Sequence, residues 1–529
     1  MFTIQGLSYI QANGELLFSG LDLSLKKFDK TGLIGNNGVG KSTLLKIVAG
    51  KLKPSSGSVR LSGDCFFVPQ HFGQFNHLTV AQAINVSGKL DALNAILAGD
   101  LSEQNVNALA DDWTIRQRCE EAFSYWKLDY PDLEQPLYTL SGGQKTRVFL
   151  AGIRINQPDL VLMDEPSNHL DAGGRRLLYD YIRSTNDSIL AVSHDRQLLD
   201  LLDPMAELSR TGIRVYGGNY DFYALQKQIE SEALLSELKD REKAVRKAKK
   251  SERDSLERQQ KLNARGKNKQ EKSGLPTISM NTFRNNAEKS LSRLKGVHAG
   301  KVESLSKELD ELRKLLPEPG EMKIRFDQSD LHHGKNLITA KDINFEFNQQ
   351  ALWKQGLDFG IVSGDRSAIV GANGAGKTTL VKLILGELQP SSGTIERAGF
   401  RWVYIDQDYS LINNDLTVYQ QAGRFSSGNL QEHEIKIRLD RFLFDSDYWD
   451  KPCSTLSGGE KMRLILCCLT IGLHPPDLIA LDEPTNNLDI LNTEILTTAI
   501  REYNGTLLVI SHDDLFLQEI GITNEIILE

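Results

Sequence analysis

Two hydrophobic patterns alternate along this chain. Short runs in which nearly every position is apolar, Thr31-Gly-Leu-Ile34 and Leu160-Val-Leu-Met163 early on, Ser367-Ala-Ile-Val370 and Leu478-Ile-Ala-Leu481 later, predict strands covered on both faces, as in a parallel α/β sheet. The second pattern has helical spacing. Val302, Leu305, Leu309, Leu312 and Leu316 recur at intervals of 3, 4, 3 and 4, a coiled-coil seam that must pack against the preceding helix. Between Leu225 and Leu316 the composition shifts to Lys, Glu, Arg and Gln, and the breakers before Thr277 are Gly266, Gly274 and Pro276. Two long helices joined by a turn are expected, and at roughly 1.5 Å per residue a helix of about 36 residues reaches on the order of 50 Å. A third helical segment, with Leu90, Leu93, Ile96 and Leu97 on one side, falls within about 84–112. No run approaches the roughly 18 apolar residues of a membrane span. The densest, Leu464 to Leu481, is broken by Thr470, Gly472, His474, Pro475, Pro476 and Asp477.

The strand runs occur twice because the sequence repeats itself. Gly35-Asn-Asn-Gly-Val-Gly40-Lys41-Ser42 returns 336 residues later as Gly371-Ala-Asn-Gly-Ala-Gly376-Lys377-Thr378, and Asp164-Glu165 and Ser193-His194-Asp195 return at 318 as Asp482-Glu483 and Ser511-His512-Asp513. The offset falls from 337 at Gln70 and Gln407 to 316 at Leu140-Ser-Gly-Gly-Gln144 and Leu456-Ser-Gly-Gly-Glu460, so the first copy carries 21 additional residues. Those residues fall within about 84–112, read as a small helical arm. Three domains follow: 1–223 with the arm, a helical linker over 224–320 with its tip near 274–280, and 321–529.

Composition changes this picture in one respect. The 529 residues, 40% hydrophobic and 25% charged with a net charge of −8, are those of a globular chain and exclude a uniformly cationic one. Yet Lys239 to Lys295 holds 18 lysines and arginines against 7 acids, a local excess of 11 on an otherwise acidic protein. Such a stretch fits contact with RNA phosphates, densest at Arg241, Lys243, Arg246, Lys247, Lys249 and Lys250. Leu275 and Pro276, in the apolar insert Gly274 to Met280, read as the contact point of the tip. The arm, with Lys89 against Asp91, Asp100, Glu103, Asp111 and Asp112, gives no sign of binding RNA. Five cysteines without metal-like spacing suit reduced thiols, and an N-terminus lacking a basic and apolar leader makes cytoplasm the expected compartment.

G-x-x-x-x-G-K-[ST] after an apolar strand is a phosphate-binding loop, because glycines let successive N–H groups converge on phosphate oxygens at a helix N-terminus. Gly35, Asn36, Gly38, Gly40, Lys41, Ser42 and Thr43 form one, and Gly371, Asn373, Gly374, Gly376, Lys377, Thr378 and Thr379 the other. Both lysines would neutralise phosphates, and the Ser42 and Thr378 hydroxyls would reach Mg²⁺. Asp164 and Asp482 end buried strands and suit the same ion. Glu165 and Glu483, one residue on, are candidates to activate the attacking water, with His194 and His512 beside the γ-phosphate.

Together with the LSGG motifs, Gln70 and Gln407, these residues resemble the full motif set of ATP-binding cassette proteins. Two cassettes on one chain, joined by a charged hairpin entered through Tyr216-Gly-Gly-Asn-Tyr220-Asp-Phe-Tyr223, resemble in particular the ABC-F group of translation-associated ATPases. The resemblance implies an α/β protein of two P-loop cassettes joined by a long basic helical hairpin. It implies head-to-tail pairing of the cassettes in a monomer, so that one ATP lies against Ser457, Gly458 and Gly459 and the other against Ser141, Gly142 and Gly143. It also implies that Gln70 and Gln407 attend the metal, and that an aromatic residue before each loop, Tyr9 and Phe345, stacks on adenine. The implied partners are large-subunit ribosomal RNA and P-site tRNA, with binding near the tRNA exit site in the ATP state and the hairpin directed at the peptidyl-transferase centre. General translation, rescue of stalled ribosomes and protection from an antibiotic remain open, as do a DNA-associated ATPase and the ATPase subunit of a membrane transporter. Asn487 stands where the first copy has His169, and Asp514 where it has Arg196, so unequal turnover at the two sites is expected.

Overall fold

Leu160–Asp164, Ser188–Val192, Leu478–Asp482 and Thr506–Ile510 are buried at every position, which is why their sequences show no alternation. Each pair lies at the heart of a parallel sheet. The structure, a computed structural model, describes residues 2–129, 131–271, 332–347, 349–426, 430–472, 475–486 and 488–528, with helical stretches within 292–312. In the first cassette the strand order is Cys65–Val68, Leu160–Asp164, Ser188–Val192, Lys30–Ile34, Met205–Ser209 and Gly212–Tyr216, only the last pairing antiparallel. In the second it is Trp402–Ile405, Leu478–Asp482, Thr506–Ile510, Arg366–Val370 and Asn524–Ile527. A three-stranded antiparallel sheet completes each cassette, Leu16–Leu25, Phe2–Ile10 and Ser56–Leu61 in one, Leu357–Val362, Asn336–Asn344 and Ser392–Arg397 in the other. In the first cassette a core of Phe18, Leu44, Leu162 and Leu190 joins the two sheets through the helix Lys41–Val48. The loops that carry the repeated motifs therefore leave the C-terminal ends of neighbouring parallel strands, the edge at which α/β sheets bind ligands.

The additional residues of the first cassette fold as two helices packed on each other, Ser87–Leu97 and Glu103–Leu109. Leu90, Leu93 and Ile96 are buried, but Leu97 is 70% exposed, at the last turn where the packed face has rotated away. Asp112 closes the arm, accepting from Lys89 at 2.9 Å and Arg118 at 2.5 Å.

The chain divides into two compact units, Met1–Tyr223 with Glu321–Glu529, and Ala224–Gly320. The first limb of the linker is longer than its breakers suggest. One helix runs over Tyr220–Glu271, 52 residues, and passes through Gly266. A single interior glycine costs about 1 kcal/mol, which long runs of good helix formers and pairs such as Arg253–Glu257 (3.2 Å) offset. The second limb is helical over 301–310, with Leu309 buried and Val302, Leu305 and Leu312 half-buried, as the seam requires. Val245 is a buried apolar residue of the first limb. Arg241 Nη1 lies 3.0 Å from Glu308 Oε2, and the two residues are equally far along the sequence from Gly274–Leu275. Leu316 and the expected tip, Leu275 and Pro276 included, lie outside the described residues. Of the basic cluster, Lys243, Arg246, Lys247, Lys249 and Lys250 are exposed, whereas Arg241 is half-buried against Glu308.

Candidate functional site

Each phosphate-binding loop ends on a glycine with positive φ, Gly40 at 104° and Gly376 at 87°, which caps the following helix. At Gly40 a side chain is excluded twice, by that φ and by the Phe18 ring, which a Cβ would meet at 2.9 Å. Lys41 Nζ donates to the Gly35 carbonyl at 2.6 Å, and Lys377 Nζ to that of Gly371 at 2.8 Å, so each ammonium lies curled over its own loop. Asn36, Gly38, Asn373 and Gly374 shape the loops, and Thr43 and Thr379 follow in the first helical turn. Ser42 donates to Asp164 Oδ1 at 3.0 Å and Thr378 to Asp482 Oδ2 at 2.7 Å. A hydroxyl beside a buried strand-end carboxylate offers a hard cation two oxygens and leaves its other positions to water and phosphate. Among the described residues no group of three or more His, Cys, Asp or Glu side chains could hold a metal. The donor set thus fits Mg²⁺, which keeps much of its water, better than ions bound in all-protein cages.

Glu165 and Glu483 follow those aspartates in the left-handed region, with φ of 50° and 47°. Such backbone is uncommon for glutamate and costs roughly 1–3 kcal/mol; here it turns the chain off the strand while the N–H of each still pairs, with Val192 O at 2.9 Å and Ile510 O at 2.8 Å. Both side chains are buried, and Glu165 Oε1 and both Glu483 oxygens lack a hydrogen-bond partner. His194 Nε2 is 3.4 Å from Glu165 Oε1, and His512 Nε2 is 3.4 Å from Glu483 Oε1. Burial raises the Glu165 carboxyl to about 8 and that of Glu483 to about 7, and it lowers His194 to about 3 and His512 to about 4. The imidazoles are therefore neutral at physiological pH, and the carboxyls become bases only as pH rises through 7 to 8. Because the folded pKa exceeds the ordinary 4.5, each carboxyl also reduces fold stability progressively as pH climbs from 4.5 to its folded value. We expect a pH profile of ATP turnover to show an acid limb in this range. Glu165→Gln should leave the limb near 7 and Glu483→Gln the limb near 8; an identical profile in both would sever the link between limb and carboxyl.

Ser141 and Ser457 cap the helices Gly142–Asn156 and Gly458–Ile471 through reciprocal bonds with Gln144 and Glu460, so each LSGG motif is a capping box that encloses its two glycines, of which Gly143 and Gly459 leave no room for a side chain. These N-termini carry the positive end of a helix dipole. The first one faces the other cassette. Asn373 Nδ2, in the second phosphate loop, donates to the His169 carbonyl at 3.1 Å, and a Cβ on Gly143 would lie 3.3 Å from that same nitrogen. Gly142 packs beside the His169 ring. The pairing is reciprocal in its charges, since Lys41 is influenced by Asp489 and Lys377 by Asp171. A cavity of about 100 Å³ lies at this junction, where Gln407, Asp482 and Glu483 meet Asn168 and His169. On the opposite side Gln70 offers its carbonyl to His169 Nε2 at 3.3 Å. Tyr9 and Phe345 are half-buried at the cores of their own cassettes, Tyr9 with its ring 6.2 Å from that of Phe18. Asn487 lies outside the described residues.

Sequence matching overlooks Tyr404. Its hydroxyl donates to Asp482 Oδ2 at 2.9 Å, so this oxygen accepts from both Thr378 and Tyr404, whereas the corresponding residue of the first cassette is Phe67. An alternation of tyrosine and phenylalanine at one repeat position is the signal that could have found it. Partners that orient a metal ligand typically contribute about tenfold or more to metal affinity. Tyr404→Phe is accordingly expected to raise the Mg²⁺ concentration for half-maximal turnover about tenfold at the second site, measured by Mg²⁺ titration in a Glu165→Gln background.

Comparison with known proteins agrees with this geometry. The ABC transporter family model matches residues 18–168 and 354–486. ABC transporter F family member 2 of Arabidopsis thaliana is 30% identical over 94% of this chain and 72% of its own length, and the ATP-binding protein Uup of Haemophilus influenzae is 30% identical over 96% and 76%. Among solved structures, archaeal ribosome recycling factor aABCE1, crystallised with the archaeal ribosomal stalk protein aP1, shares the fold at a TM-score of 0.59 and 21% identity, covering 97% of this chain and 86% of that one. No helix among the described residues is long and apolar enough to cross a membrane.

Proposed function

The chain belongs to the ABC-F group of ATP-binding cassette proteins, and on that premise we propose that it is an ATPase that closes its two cassettes on ATP, binds the ribosome while closed and leaves on hydrolysis. One observation supports the reading: Asn373 of the second phosphate loop reaches the His169 carbonyl beside Gly143, which sets that loop against the opposite LSGG helix, and in this proposal each ATP is held between such a pair. Lys41 and Lys377 turn from their loop carbonyls to the phosphates. Ser42 and Asp164 in one site, and Thr378 and Asp482 in the other, with Gln70 and Gln407 nearby, would hold Mg²⁺, which would supply positive charge to the phosphates. Glu165 and Glu483 accept the proton of the attacking water, and neutral His194 and His512 orient it. Tyr9 and Phe345 carry adenine. ATP bridges both cassettes only when they are closed, so it shifts the population toward that form, and hydrolysis removes the preference.

Ribosome binding rests on the exposed Lys243, Arg246, Lys247, Lys249 and Lys250, which suit rRNA phosphates and position the protein without reading sequence. Placement near the tRNA exit site, contact with P-site tRNA, and any protection against antibiotics belong to the same reading through the expected tip at Leu275 and Pro276. The test is co-sedimentation with ribosomes of a chain carrying Glu165→Gln and Glu483→Gln, in ATP and in ADP with competing DNA. Retention in ATP alone supports the proposal; equal retention in both nucleotides, or loss to DNA, removes it.

A further inference from the structure

The two cassettes meet through surfaces that should be equivalent under the repeat but carry opposite charge. The register is fixed by matching caps: Asp171 accepts from Gly174 N and Asp489 from Asn492 N, both at 2.8 Å, while Asp195 accepts from Leu198 N at 3.1 Å and Asp513 from Phe516 N at 3.0 Å. At that register Arg175, Arg176 and Arg196 of the first cassette correspond to Thr493, Glu494 and Asp514 of the second. The first set is three arginines and the second has none, and two of the three, Arg175 and Arg196, interact with the second cassette. Arg196 forks across the interface, Nη2 to Glu494 Oε1 at 3.2 Å and Nη1 to Glu519 Oε1 at 3.1 Å. Arg175 is buried beside Asp195 at 3.9 Å, with its Nε donating to Leu170 O, and its charge is felt by Glu483 and Asp513 of the second cassette.

We propose that this polarised surface is a pairing code: it admits only the union of a first cassette with a second, and it rejects like with like between copies of the chain. In a pair of first cassettes Arg196 would confront Arg176, and in a pair of second cassettes Asp514 would confront Glu494. Like charges set against each other across an interface are costly, and specificity built by repulsion leaves the correct pair unaffected. Without such a device two copies of one fold, each bearing an LSGG helix and a phosphate loop, could close on the wrong partner. The code ensures that each site joins unlike halves, and it makes closure sensitive to salt.

The inference rests on ATP-driven closure, so the experiment reads both. The full-length Glu165→Gln, Glu483→Gln chain, with a fluorescence-transfer pair across the cassettes, is titrated with ATP at low and high KCl. Adding Arg176→Glu and Arg196→Asp gives the first cassette the charges of the second and reproduces a like-charged interface. The ATP needed for half-closure should rise by about tenfold or more, since coupled charge pairs of this kind are worth several-fold to a hundredfold. Exchanging the other side as well, with Glu494→Arg and Asp514→Arg, should restore it to within about threefold. An unchanged half-closure in the like-charged chain, or no recovery in the exchanged one while each retains its thermal midpoint, overturns the code and leaves closure standing. Failure of ATP to close the parent chain overturns both. Recovery on exchange also excludes misfolding as the cause of the loss.

Discussion

Replacing Glu165 and Glu483 together with glutamine is expected to lower ATP turnover by about 100-fold to 10,000-fold, the range spanned by loss of a positioned general base, while leaving ATP binding intact. The expectation rests on what surrounds these carboxyls. Each is buried and turned off its strand by positive φ, and Glu165 Oε1 and the Glu483 carboxylate oxygens meet no satisfying side-chain donor. Glutamine fills the same volume, and because it is neutral at every pH it relieves the cost of burying a carboxylate. The variant should therefore melt no lower than the parent at pH 7.5. Steady-state phosphate release, nucleotide binding and the thermal midpoint measure the three parts separately. Turnover within threefold of the parent would show that the water is activated elsewhere. The single substitutions should be unequal, because Arg175 acts on Glu483 and has only Thr493 as its counterpart.

The parts of this protein most legible in its sequence are those in which one physical requirement dictates several residues at once. A phosphate loop needs glycine at fixed spacing, a buried parallel strand needs an unbroken apolar run, and a capped helix needs Ser with Gln or Glu three residues on; all of these recur in both copies. The ends of the linker helix were less legible. Gly266 marks a stop only if local propensity decides, and in a helix of 52 residues the many turns on either side outweigh it. Spacing alone puts Leu97 with the packed residues, but the arm helix ends there and the residue is exposed. Features that depend on two distant residues left almost no trace: the hydroxyl of Tyr404 on Asp482, or Arg241 drawn from the basic cluster to Glu308. Neither has a local pattern, and Tyr404 shows only when the two copies are compared position by position, where the first has Phe67.

Gly143→Ala is expected to lower hydrolysis at the second site by about 100-fold, the effect that a misplacement approaching 1 Å can have on a catalytic arrangement. The new Cβ would stand 2.9 Å from the His169 carbonyl oxygen and 3.3 Å from Asn373 Nδ2. The carbonyl is backbone and cannot swing aside, and it is itself the acceptor of Asn373 at 3.1 Å. To make room, the LSGG helix must retreat or the hydrogen bond between the cassettes must stretch, and either widens the gap across which ATP is held. Gly459→Ala provides the contrast. Its Cβ would meet the Asn492 side-chain amide of its own cassette at 2.4 Å, a group that can rotate away without disturbing the interface. Gly143→Ala measured in a Glu165→Gln chain, where only the second site turns over, should lose activity and require more ATP for closure, whereas Gly459→Ala measured in a Glu483→Gln chain, where only the first site turns over, should change both by less than about tenfold. Equal losses would mean that these glycines serve helix packing within each cassette, and the head-to-tail contact between Asn373 and His169 would then lie outside the working site.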